Sequence, residues 1–159
     1  MVIIQKKSFE VKKSGGKVAI LTAGTSDIPI AEEARIIAEE MGCEVMTAYD
    51  VGVAGIHRVF SPLKEIIEKD ADVLIVITGR EGALPSLISG IIDIPVIAVP
   101  TSIGYGSGGK GVGALMAMLQ ACSLGIAIVN IDGGVAAGAV ASLIANRMAK
   151  FRRAESDKS

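Results

Sequence analysis

Residues 73–100 read VLIVITGREGALPSLISGIIDIPVIAVP, and the fold follows from them. Val73 to Thr78 is an unbroken aliphatic run without polar alternation, so a strand here must be covered on both faces. Gly79 to Gly82 interrupts it, Leu84 to Ile91 fits a short helix, and Val96 to Val99 is a second apolar run of the same kind. Strand, helix and strand in this order make a parallel crossover unit. The alternation extends outward on both sides. Lys17 to Thr22 precedes a helix from Pro29 to Met41, and Glu44 to Tyr49 precedes one from Pro62 to Lys69. Beyond Val99 come a Gly-rich loop, a helix from Val112 to Ala121, a strand from Ile126 to Ile131 and a helix from Val135 to Lys150. Five such β-α units predict an α/β fold with a single doubly wound parallel sheet, a flavodoxin-like three-layer sandwich. Residues 1–16, where Phe9 and Val11 alternate among lysines, read as an N-terminal arm or edge strand. Residues 17–150 form the core, and 151–159 read as a solvated polar tail.

Composition narrows the function classes. The 159 residues carry 16 Lys and Arg against 17 Asp and Glu, and only 3% are aromatic, so the cations and stacking platforms of a nucleic-acid surface are missing. Two Cys in a chain whose opening apolar stretch is too short for a signal peptide fit free thiols in a reducing cytoplasm. One His and two Cys are too few soft ligands for a structural zinc site. Between Glu81 and Ala149 only Glu81, Asp93, Lys110, Asp132 and Arg147 are charged. One small protomer cannot hide that length inside itself, so part of it is expected between subunits of a homo-oligomer. Gly111 to Val129 is uncharged and reaches the length of a membrane span, but Gln120, Ser123 and Gly125 interrupt it and Ile126 to Ile131 has a strand pattern.

In an open parallel sheet, ligands gather beyond the carboxyl ends of the strands. Four loops there are unusual. In Thr22-Ala-Gly-Thr-Ser-Asp-Ile-Pro, Gly24 allows close backbone approach and Ser26 offers a hydroxyl for phosphate or ribose, although Ser26 or Asp27 serves equally as a helix cap. Asp50-Val-Gly-Val-Ala-Gly-Ile-His-Arg puts His57, the only histidine, beside Arg58, whose fork matches phosphate oxygens. In Thr78-Gly-Arg-Glu-Gly-Ala-Leu-Pro-Ser, Glu81 is either a partner for Arg80 or a general base in apolar surroundings. Pro100 to Gly113 holds six glycines from Gly104 onward, but the spacing of Lys110 fails the Walker pattern. It serves either as a loop over substrate or as packing between subunits. Cys122, at the end of the following helix, reads by itself as a small buried hydrophobe. The dipole at that helix end disfavours a thiolate, so reactivity there requires a nearby cation or a cationic substrate.

Taken together, Thr22-Ala-Gly-Thr-Ser-Asp, Asp50-Val-Gly-Val-Ala-Gly-Ile-His-Arg, Glu81-Gly-Ala-Leu-Pro-Ser, Val99-Pro-Thr-Ser-Ile-Gly-Tyr-Gly and Asn130-Ile-Asp-Gly-Gly resemble the pyridinium-3,5-biscarboxylic acid mononucleotide synthases. These carboxylases begin assembly of the nickel-pincer nucleotide cofactor. The resemblance runs from about Lys17 to Arg147, and the core is more distantly similar to the aminoimidazole ribonucleotide carboxylase and mutase superfamily. It implies carboxylation of nicotinic acid adenine dinucleotide with carbon dioxide or bicarbonate and release of AMP. Cys122 matches the family's cysteine and is the implied nucleophile, Glu81 the implied base, and Asp132 a weaker catalytic candidate. Gly24, Thr25, Ser26, Asp27, His57, Arg58, Gly79, Gly82, Ser102 and Gly104 are the implied substrate-binding residues. No tightly bound cofactor is implied, with a magnesium requirement left open, and neither nucleic acid nor membrane is an implied partner.

A residue at the C-terminal end of a crossover helix lies across the sheet from the strand-end loops, so Cys122 should meet Ser26 and Glu81 only between protomers. The superfamily is typically octameric. The chain also departs from the synthases: the domain that usually precedes this core is absent apart from the arm, and Ser107 to Lys110 and Gln120-Ala121 differ from the common pattern. The alternatives are an aminoimidazole ribonucleotide carboxylase or mutase, whose loop histidine corresponds to Ala83 here, and a non-catalytic nucleotide-binding oligomer.

Overall fold

A computed structural model describes residues 2–6, 8–104 and 106–156. Five parallel strands, β1 (Lys17–Thr22), β2 (Glu44–Ala48), β3 (Val73–Thr78), β4 (Val96–Pro100) and β5 (Ile126–Ile128), lie in the order β2-β1-β3-β4-β5. The helices are α1 (Ile28–Glu40), α2 (His57–Glu68), α3 (Ala83–Ser89), α4 (Val112–Leu119) and α5 (Gly134–Ser156). This is the expected flavodoxin-like α/β sheet. Alternate residues of the central strands feed two separate cores, because successive side chains leave a strand on opposite faces. Val18, Ile20, Ile75, Ile77 and Val99 meet α1 and α5, whereas Ala19, Leu21, Leu74 and Val76 meet α2 and α3. Each fully buried aliphatic side chain contributes about 1.5–3 kcal/mol.

The α1–α5 layer is built on small residues. Ala31, Ala34 and Ala38 face Ala137, Ala141 and Ala145, all fully buried. At Gly138 a Cβ would stand 2.6 Å from the Ala34 carbonyl oxygen, so only glycine lets the two backbones approach this closely.

Several boundaries differ from the sequence reading. Helix α2 begins at His57 and carries Pro62 in its interior, instead of starting at the proline. Strand β5 ends at Ile128, although Val129 still donates its N–H to the Ala98 carbonyl. Helix α5 runs six residues past Lys150, and Arg152 binds Asp72 beside β3, so residues 151–156 belong to the fold and are not a loose tail. Among the described residues before Lys17 none is in a strand. The arm is tied instead at Ser14, whose N–H and hydroxyl both donate to the Gly42 carbonyl at 2.8 and 2.9 Å.

The charge-poor second half leaves apolar surface uncovered. Val112, Met116 and Leu119 form one exposed stripe on α4, followed by Leu124, which is 88% exposed. Val135, Leu143 and Phe151 are exposed along α5. Gly111 to Val129 folds as a short helix, a turn and the edge strand, and among the described residues no helix is long and apolar enough to cross a membrane.

Candidate functional site

The ends of β1 to β4 open into a cleft of about 690 Å³, lined by one loop from each strand. From the expected set it gathers Gly24, Ser26, Asp27, Arg58, Gly79, Glu81, Ser102 and Gly104. Asp50, Arg80 and Ile103 also line it. Thr25 and His57 are exposed beside it without lining it, and Gly82 is buried against Ala114 of α4. Those three are therefore placed as loop and packing residues and not as cleft wall.

The floor is polar although it is buried. Thr22, Asp27, Thr78 and Thr101 lie at or just beyond the strand ends and are nearly inaccessible. Asp27 ties the first loop to the fourth: its Oδ2 accepts the Gly24 N–H at 3.0 Å and its Oδ1 accepts the Thr101 hydroxyl at 2.8 Å. Asp27 does not cap α1 with its side chain, which instead bonds back to Gly24 and across to Thr101. Burial raises its pKa above the ordinary carboxylate value, the two hydrogen bonds oppose that rise, and the charge of Asp132 adds to it. Gly79 allows the third loop to press on the fourth, since a Cβ there would come within 2.7 Å of Thr101 Oγ1. Gly79 is thus as much a packing residue as a cleft residue.

The raised pKa of Asp27 has a consequence for folding. The neutral form is favoured in the folded state, and that contribution is complete below the ordinary value of 3.8 and disappears as pH rises through the raised value. At pH 7 the charge on Asp27 opposes folding. Asp27→Asn is expected to resist denaturant better than wild type at pH 7, with the difference closing as both are acidified toward pH 3.8. Urea midpoints at the two pH values check this, and equal midpoints at pH 7 would mean that the hydrogen bonds outweigh burial.

In the second loop the Asp50 N–H donates to Thr22 Oγ1 at 3.1 Å, and Arg58 Nη1 donates to Asp50 Oδ2 at 2.6 Å and to its carbonyl. This fixes one edge of the guanidinium and aims it from α2 toward the cleft. In the fourth loop the Ser102 N–H donates to Asp132 Oδ1 at 2.8 Å. Asp132 does not line the cleft, so its visible work is to hold Ser102, which does. Glu81 is exposed at the cleft, and the apolar enclosure imagined for it is not found. Among the described residues no three His, Cys, Asp or Glu side chains converge on a metal-sized site.

Cys122 is the outlying member of the set. It is exposed, it follows α4, and it sits before β5, at the opposite end of the sheet from the cleft. The next residue, Ser123, is held to α3 by donating to the Ser86 carbonyl at 2.7 Å. Cys43, the other free thiol, is buried and donates to Asn146 Oδ1.

Sequence reasoning passed over Asp50, Arg80 and Thr101. One signal was present for all three, since each follows a strand by one or two residues, where a parallel sheet aims side chains at its ligand edge. The brace from Thr101 to Asp27 joins residues 74 apart and has no local signal.

Residues 17–157 match the family model described as AIR carboxylase. Over 149 residues the chain is 58% identical to an uncharacterised protein of Methanocaldococcus jannaschii, covering 94% of this chain and 57% of that one. It is 35% identical over 133 residues to a probable N5-carboxyaminoimidazole ribonucleotide mutase of Methanothermobacter thermautotrophicus, covering 80% and 37%. The chain therefore spans roughly half or less of the length of these two relatives. It is 29% identical to the N5-carboxyaminoimidazole ribonucleotide mutase of Thermotoga maritima, covering 80% of this chain and 74% of that one. A crystal structure of a Treponema denticola PurE2 variant superposes with a TM-score of 0.66 at 24% identity, covering 91% and 92% of the two chains, which supports the same fold.

Proposed function

This chain belongs to the AIR carboxylase family, and from that premise we propose that it carboxylates the pyridinium ring of nicotinic acid adenine dinucleotide. The observation that carries the reading is the setting of Cys122. The thiol is exposed near Leu119 and Leu124 in the chain, on apolar surface that none of the described residues covers. A second copy seated on that surface would cover it and bring the sulfur to a neighbouring cleft, where Glu81 stands in the open. The assembly in this reading is a homo-oligomer with shared sites, an octamer.

The chemistry then proceeds in balanced steps. The Cys122 thiolate adds to the ring carbon para to the ring nitrogen, and the electron pair cancels the pyridinium charge to leave a dihydropyridine. The cationic ring itself supplies the attraction that a thiolate at a helix C-terminus lacks. The adjacent carbon is now an enamine carbon and attacks carbon dioxide, forming the new C–C bond. Glu81 takes the proton from that carbon, aromaticity returns, and the thiolate is expelled unchanged. Water cleaves the phosphoanhydride in a separate step and AMP leaves. Gly24, Ser26 and Arg58 hold the phosphates, and Ser102 and Gly104 bound the ring side.

A second reading is an aminoimidazole ribonucleotide mutase, favoured by the names of two of the relatives. Against it, the cleft has no histidine among its lining residues and Ala83 opens α3 where that branch has one. Purified protein incubated with nicotinic acid adenine dinucleotide and labelled bicarbonate is expected to yield a labelled pyridinium mononucleotide and AMP. Carboxyl movement only in an imidazole ribonucleotide would replace this reading with the mutase. Binding without turnover would replace it with the non-catalytic oligomer.

A further inference from the structure

The third loop carries a feature that the proposed chemistry leaves unused. Arg80 and Glu81 are consecutive and both line the cleft. Arg80 adopts a positive φ of +48° in the turn that leads into α3. Among the described residues five non-glycine positions take positive φ, and three of them are Asp, which tolerates this region through its short side chain. Arg80 and Lys110 are the exceptions, and of these two Arg80 lines the cleft. Glycine would adopt the turn without strain, so the guanidinium is retained at a backbone cost.

Among the residues that line the cleft, the cations are Arg58 and Arg80, on the second and third loops. Arg58 is held through Nη1 to Asp50 on the second loop, whereas the third loop that carries Arg80 lies against the fourth, where a Cβ at Gly104 would stand 3.8 Å from the Arg80 backbone nitrogen. Arg80 adjoins Glu81, the group that acts on the ring. Resting on the synthase reading, we propose that Arg80 is the specificity residue that binds the carboxylate already present on the pyridine ring and so selects nicotinic acid over nicotinamide nucleotides. A guanidinium fork pairs with both oxygens of a carboxylate. An amide offers one oxygen and turns an N–H donor toward the remaining guanidinium donor, leaving two donors face to face.

The test uses the full-length protein and two ligands that differ only at this group, nicotinic acid mononucleotide and nicotinamide mononucleotide, with binding measured by calorimetry. Wild type is expected to prefer the acid by roughly tenfold to a hundredfold. Arg80→Gly, which suits the left-handed turn and so should fold at least as well, is expected to bind both ligands within about threefold of each other, the acid losing far more affinity than the amide. Arg80→Lys should keep part of the preference, because it keeps the charge and loses the fork. Labelled bicarbonate turnover by wild type is run alongside. If wild type forms the labelled product but Arg80→Gly keeps the full acid preference, the assignment of Arg80 is wrong and the synthase reading stands. If wild type neither binds these nucleotides nor makes the product, both are wrong.

Discussion

Equal mixtures of Cys122→Ala and Glu81→Gln chains, unfolded and reassembled together, are expected to recover carboxylation that neither variant shows alone. Alone, removal of the thiol should lower turnover by on the order of 10³-fold or more, since no other group supplies the covalent step. Loss of the base should cost roughly 10²–10⁴-fold. The two residues lie at opposite ends of the sheet within one chain, so the proposed chemistry needs the sulfur of one copy and the carboxylate of another. In randomly assorted oligomers about one site in four draws both intact residues, and activity should return to about a quarter of wild type. Activity that stays at the level of the single variants would place both groups in one protomer's site or remove one of them from the chemistry. Met116→Glu, placed on the exposed α4 stripe and away from the cleft, should abolish the recovery by dissociating the copies, readable by light scattering in the same samples.

The residues behind this prediction show which parts of the site were legible in the sequence. The strands were, because Val73 to Thr78 and Val96 to Val99 are apolar without alternation, and only parallel strands covered on both faces read that way. The four ligand loops followed from the strand ends. Their internal wiring did not, because the braces from Thr101 to Asp27 and from Ser102 to Asp132 join residues 74 and 30 positions apart. Pro62 misled the placement of α2, since proline prefers the first turn and here occupies the interior. Asp132 entered only as a weaker catalytic candidate implied by the resemblance, and its bond to the Ser102 backbone had no signal in the sequence. The scarcity of charge after Glu81 was informative for a different reason. It signalled apolar surface, and the structure divides that surface between the α5 seam against α1 and the uncovered faces of α4 and α5.

Arg152→Ala is expected to cost about 3–5 kcal/mol of folding free energy, more than any exposed ion pair in the molecule. Asp72 precedes β3 and its side chain is only 3% exposed. Its carboxylate accepts the Lys17 N–H at 2.8 Å and both terminal nitrogens of Arg152, while Arg152 also donates to the Gly15 carbonyl at 3.0 Å. One guanidinium therefore joins the last turns of α5 to the start of β1 and to the approach to β3. The Asp72 bond holds the arginine charge more firmly and raises its pKa. Without Arg152, a buried carboxylate keeps a single backbone donor, and the penalty is that of an uncompensated charge and not the modest value of the pair itself. The exposed pairs of Arg35 with Glu32 and Glu39 set the contrast, worth about 0.5 kcal/mol or less each. Thermal unfolding at fixed protein concentration should show a fall on the order of 10 °C. Arg152→Ala combined with Asp72→Asn should regain most of it, because the buried charge is gone while the Lys17 N–H keeps its acceptor. A loss below about 1 kcal/mol for the single variant would mean that Asp72 finds water or another donor, and that α5 ends functionally near Lys150.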